Sequence, residues 1–118
     1  MMATEGRFEG SRAYEVASRV LGVRTTLRVR SFVLGTDVVE VLPENPRRLG
    51  WTVSNRGGYY IELSHDRALL PGGGLLLTGE GGSASMVVTE DGETVGYAVY
   101  GVAVGSPSTI YVMEVVGL

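Results

Sequence analysis

From residue 24 onward apolar and polar positions alternate with a period of two, in short runs broken by turn residues. The first run, 24–34, sets Leu27, Val29 and Val33 on one face and Thr26, Arg28 and Arg30 on the other. Gly35-Thr36-Asp37 turns the chain, and 38–42 is a short strand closed by Pro43. After Pro43-Glu44-Asn45-Pro46, the run 49–55 places Leu49, Trp51 and Val53 opposite Gly50, Thr52 and Ser54. Asn55-Arg56-Gly57-Gly58 is a turn, and in 59–63 Tyr59, Ile61 and Leu63 share a face. Pro71-Gly72-Gly73-Gly74 leads into a strand over 75–78, residues 79–83 make a loop, and 84–89 is a strand. Glu90-Asp91-Gly92-Glu93 reads as a hairpin-type turn. In 95–104 the alternation fails near Gly96 and Gly101, which marks a bulge or bend. Gly105-Ser106-Pro107-Ser108 turns into a last strand over 109–116. The pattern predicts an all-β domain over 23–118, a jelly-roll-like antiparallel β-sandwich of about eight short strands.

Residues 1–22 do not follow this pattern and read as an N-terminal arm. Ala13, Val16, Ala17, Val20 and Leu21 recur at helical spacing, with Tyr14 widening the stripe and Gly22 able to stop a short helix. A strand fits the same residues, so the arm is left open between the two.

Composition narrows the chemistry. Of 118 residues 18 are Gly and four are Pro, without a Gly-X-Y period, which suits turns between short strands. With no Cys, disulfides, thiolate catalysis and cysteine-ligated metal sites are excluded. All ten basic residues are Arg, and Lys and Gln are absent, which fits a GC-rich genome and equally a thermophilic host. The net charge of −3 is unevenly spread: residues 1–56 hold nine Arg against six acids, and 57–118 hold one Arg against seven. Such a split suits contact between copies or docking on an acidic partner, unless the fold interleaves the halves. No signal-type apolar region stands at the N-terminus, and no apolar run reaches the ~20 residues of a membrane span. The expected setting is the cytoplasm, or a particle assembled there, with no membrane partner.

Few residues look like chemistry. His65-Asp66 is the one conceivable proton-transfer pair, but neighbours along a strand point apart, and a surface turn is the simpler reading. Glu90, Asp91 and Glu93 are too few for calcium and lack its spacing, so no metal is assigned. The Gly runs lack the Lys of a phosphate loop, and no βαβ unit follows them. No catalytic residue and no cofactor are predicted. Arg24, Arg28 and Arg30 line one face of a strand, Arg47 and Arg48 sit at a turn, and with Tyr14 they form the candidate partner-binding set. Nucleic acid is an unlikely partner for so acidic a chain. Trp51, with Tyr59 and Tyr60, is the candidate glycan platform of an alternative reading.

From Asn45 onward the chain resembles small virion-associated β proteins of tailed bacteriophages. The likeness rests on Asn45-Pro46-Arg47-Arg48, the strand from Trp51 to Asn55, and Tyr60-Ile61. It continues in Leu70-Pro71-Gly72-Gly73, Tyr97-Ala98-Val99 and the closing run Ile110-Tyr111-Val112-Met113-Glu114-Val115. The arm and residues 24–42 fall outside it. The resemblance implies a structural role in the virion: a head decoration or cement protein, or a tail-associated one. Its partners would be the major capsid protein or other virion subunits, with homo-oligomers expected and the arm lying across a neighbour. The alternative is a glycan-binding module of a tail fibre or cell surface.

Overall fold

In the computed structural model the described residues are 24–118; the arm expected over 1–22, and Tyr14 with it, lies outside them. The elements are β1 (Thr25–Leu34), β2 (Val39–Leu42), β3 (Arg48–Asn55), β4 (Ile61–Ser64), β5 (Leu75–Leu77), β6 (Ser83–Val87), α1 (Val88–Asp91), β7 (Val99–Ala103) and β8 (Ser108–Gly117). They form two four-stranded sheets, in the orders β1-β8-β3-β6 and β2-β7-β4-β5, with every pairing antiparallel. The chain crosses between the sheets at most of its loops, as in a jelly roll. The first and last strands, 10 residues each, pair along their whole length.

The inner faces follow the alternation. Trp51, Val53, Ile110 and Val112 of the first sheet pack with Val41, Leu42, Ile61, Leu63, Leu77, Val99 and Ala103 of the second, and Leu34 closes one end. Each Val, Leu or Ile among them contributes about 1.5–3 kcal/mol of burial. A bulge between Glu40 and Leu42 lets both Val41 and Leu42 enter the core.

Two expectations change. The apolar triplet Leu27, Val29 and Val33 faces outward, and the strand face that carries Arg28 and Arg30 turns inward through Phe32 and Leu34. The register explains it: Phe32 stands opposite Ile110 and Leu34 opposite Ser108, both on the core side of β8. Second, Glu90-Asp91-Gly92-Glu93 is not a hairpin tip. Residues 88–91 are a helical turn, followed by a 3-10 turn over Gly92–Gly96. Asp91 holds them together: its Oδ2 accepts from Val87 N at 2.8 Å, and its carbonyl accepts from Thr94 Oγ1 at 2.6 Å. The strand expected over 95–104 therefore shrinks to β7, and Val95 plugs the core from a turn.

The outer faces of the two sheets differ. Glu62, buried between the core residues Ile61 and Leu63 in sequence, points to the outer side of the second sheet. Its carboxylate accepts from Gly72 N at 2.9 and 3.1 Å and from Gly74 N at 3.0 Å. This pins the Leu70-Pro71-Gly72-Gly73 segment over that face and buries Leu70 and Val102. Only Gly fits at position 74, where a Cβ would fall 2.7 Å from Leu63 O and 2.5 Å from Leu70 Cδ2. Nothing comparable among the described residues covers the first sheet.

Candidate functional site

Arg48 follows the turn of Asn45-Pro46-Arg47, in which Asn45 Oδ1 accepts from Arg47 N at 2.9 Å. It begins β3, whose register across a bulge sets it beside Val116 of β8. The residue is 1% exposed and its side chain fully buried. Nε donates to Glu114 Oε1 at 3.0 Å, one terminal nitrogen to Tyr97 O at 3.2 Å and Val95 O at 3.4 Å, and the other to Pro43 O at 2.5 Å. The guanidinium thus ties three segments together: the turn before β3, the 3-10 turn before β7, and β8. Arg48 was expected on a partner-binding surface. It is instead a buried scaffold residue: Glu114, on the inner face of β8, takes its Nε–H, and three surrounding carbonyls take three of its four terminal donors. A cleft of about 500 Å³ opens beside it, lined by Glu44, Pro46, Leu49, Val88, Glu93 and Tyr97.

Asn55 forms a second buried centre at the far end of β3. Its Oδ1 accepts from Ser108 Oγ at 2.7 Å and Gly57 N at 3.2 Å; its Nδ2 donates to Tyr59 O at 2.6 Å and Leu77 O at 3.3 Å. An amide has two donors and an acceptor oxygen, and all are used here.

The other expected surface residues are distributed as follows. Arg24, Arg28, Arg30 and Arg47 are exposed. Arg28 stands in register opposite Glu114, so the buried carboxylate faces a second guanidinium-bearing position. Arg30 lies over the Phe32 ring at 5.1 Å and donates to Val41 O, which links β1 to β2. Arg30 serves the fold, while Arg24 and Arg47 flank the C-terminal end of β8, their carbonyls accepting from Leu118 N and Gly117 N, each at 2.8 Å.

The proposed glycan platform does not assemble around Trp51. That ring is 6% exposed, on the core side of β3, while Tyr59 and Tyr60 are exposed in the loop after it. Trp51 instead meets His65 edge-on at 6.4 Å, and His65 meets Tyr97 at 5.9 Å. His65 Nδ1 lies 2.9 Å from Ala98 O, and Asp66 caps the following turn by accepting from Ala68 N at 2.9 Å. His and Asp thus serve separate backbone contacts. Trp51 Nε1 is buried without a hydrogen-bond partner among the described residues. Replacing Trp51 by Phe removes that orphan donor while shrinking the ring, and we expect stability to change by no more than about 1.5 kcal/mol in a urea melt.

Glu62 and Glu114 were not singled out from sequence, although each is a lone charge in an apolar strand. That is the pattern of a buried, partnered carboxylate. Among the described residues no group of three or more His, Asp or Glu side chains is arranged to hold a metal ion. No helix among them is long and apolar enough to cross a membrane.

No family model matches the chain, and no curated protein matches it. Solved structures do. A dTDP-6-deoxy-D-glucose-3,5-epimerase from Legionella pneumophila superposes with a TM-score of 0.51 at 14% identity, covering 92% of this chain and 57% of that one. A cupin domain of a transcriptional regulator from Enterobacter cloacae gives a TM-score of 0.45 at 8% identity, covering 80% and 83%. A protein of the disulfide-linked pili of Bacillus endospore appendages gives 0.47 at 10%, covering 81% and 88%. At these identities the likeness is one of fold: a two-sheet, jelly-roll-like β-sandwich.

Proposed function

We propose that this chain is a viral structural protein, a capsid decoration or cement protein that binds and stabilises a virion lattice. The observation that carries the reading is where the virion-like residues fall in the fold. Arg48 and Glu114 belong to two of those motifs, 66 residues apart, and they meet in one buried ion pair. Asn55, which ends the motif that begins at Trp51, locks the loops at the other end of β3. The residues that carry the resemblance therefore build a stiff scaffold, and the surfaces are left for contact with other subunits. On this reading Arg24, Arg28 and Arg47, with the arm, meet carboxylates of the lattice. The exposed pair Tyr59 and Tyr60 favours a second reading, a glycan-binding module of a tail fibre or cell surface, without Trp51 as its platform.

The test is co-sedimentation of the full chain with virion shells that lack it. We expect saturable binding that raises the temperature at which the shells rupture, and that weakens at least tenfold when Arg24, Arg28 and Arg47 are all changed to Glu. A chain that leaves every shell unbound, yet is retained on a glycan array through Tyr59 and Tyr60, would replace the first reading by the second.

A further inference from the structure

The outer face of the first sheet can be read off the register. It carries Leu27, Val29 and Val33 from β1, Thr109, Tyr111, Met113 and Val115 from β8, Thr52 and Ser54 from β3, and Ser83, Ser85 and Val87 from β6. None of these positions is charged, in a chain whose residues are 19% charged. Val33 is 63% exposed and Val29 47%. Arg56 stands at one end, beside a shallow hollow lined by Ser31, Ser54, Thr109 and Tyr111. Solvated sheet faces ordinarily alternate apolar-in with polar and charged residues out. Here the outward side is apolar and hydroxylic, and the second sheet's outer face, by contrast, is partly covered by its own 70–74 segment, which buries Leu70 and Val102.

We propose that this uncharged face is where two copies of the chain associate, sheet against sheet. Three points select a second copy over another occupant. The chain is acidic overall, and a face without charge meets an identical face with no like-charge penalty. The side chains needed are self-complementary in kind: branched apolar residues and Met on the β1–β8 half, which a two-fold axis can set against themselves, and mostly Thr and Ser on the β3–β6 half. Finally, the size fits. Four strands at ~4.8 Å spacing and about 28 Å of mean length present roughly 550 Å², so a pair buries about 1,100 Å², above the ~1,000 Å² that specific interfaces clear. The inference goes beyond the virion reading and does not depend on it.

Sedimentation equilibrium of the full chain tests it. We expect a reversible dimer at micromolar concentration. Changing Val29 and Val33 together to Glu places charges in the joint, and dimer affinity falls roughly 100-fold. Because both side chains are exposed, the thermal melt of the monomer stays in place. Leu76→Glu, at an exposed apolar position on the second sheet, and Val16→Glu with Val20→Glu in the arm leave the dimer intact. A wild-type chain that stays monomeric overturns the proposal. So does a dimer indifferent to the Val29/Val33 change, or one dissolved by the arm variant instead. Shell binding is scored separately, so a dimer that binds no virion component would sink the virion reading and leave this one standing.

Discussion

Arg48→Ala is expected to lower the free energy of unfolding by about 3–5 kcal/mol. The guanidinium is the partner of Glu114 and the donor to carbonyls of Pro43, Val95 and Tyr97. Truncation leaves a carboxylate on the inner face of β8, in register with Trp51, and strips three carbonyls of their donor. Arg28 stands in register opposite Glu114 across the β1–β8 ladder, and any compensation it gave would set the lower end of the range. Single domains are stable by only ~5–15 kcal/mol, so the variant should melt at least roughly 12 °C lower. Removing both charges behaves differently. Arg48→Met with Glu114→Leu leaves no uncompensated charge, and the double variant should be more stable than Arg48→Ala alone, with a coupling energy of about 2 kcal/mol. An Arg48→Ala melt within about 1 kcal/mol of wild type would show that the pair is replaceable by water.

This pair also shows what sequence could and could not reveal. The strand count and the sandwich were legible, because alternation and Gly or Pro turns are local signals, and β1, β3, β4 and β8 fall close to where those signals put them. Arg48 was not legible as a core residue. Next to Pro46 and Arg47 it looks like part of an exposed basic turn, and its burial is decided by a residue 66 positions away. The direction of β1 was equally hidden. Both of its faces carry apolar residues, and only pairing with β8 decides that Phe32 and Leu34 go in while Val29 and Val33 stay out. Segment 88–96 misled for another reason. Val88 and Val95 look like strand residues, but Asp91 accepts from Val87 N and so favours a helical turn over a hairpin. The basic and acidic halves do interleave: β1 lies against β8, and Arg48 against Glu114. The charge split is thus partly an internal matter of folding.

Asn55→Ala should cost about 2–4 kcal/mol, more than its size suggests, because it orphans four partners on three segments at once. Gly57 N and Ser108 Oγ lose an acceptor, and the carbonyls of Tyr59 and Leu77 lose a donor. The Asn55 backbone binds the same loops: its N–H donates to Gly82 O and its carbonyl accepts from Gly81 N, both at 2.7 Å, while Glu80 N donates to Gly57 O at 2.7 Å. Loosening the side chain therefore loosens the 79–82 loop as well as the turn that carries Tyr59 and Tyr60. Ser108→Ala removes one of the four bonds and should cost about 1 kcal/mol, a gauge for the single contact. Asn55→Asp keeps the acceptor but sets a carboxylate oxygen against the Tyr59 and Leu77 carbonyls, and should be no better than Ala. Hydrogen exchange separates local from global effects. If the side chain is the clamp, amides of Gly57, Glu80 and Gly81 exchange faster in Asn55→Ala by a larger factor than those of the β8 core. Equal acceleration everywhere would mean that Asn55 supports the whole sandwich and that the loops at this end have no separate rigidity to lose.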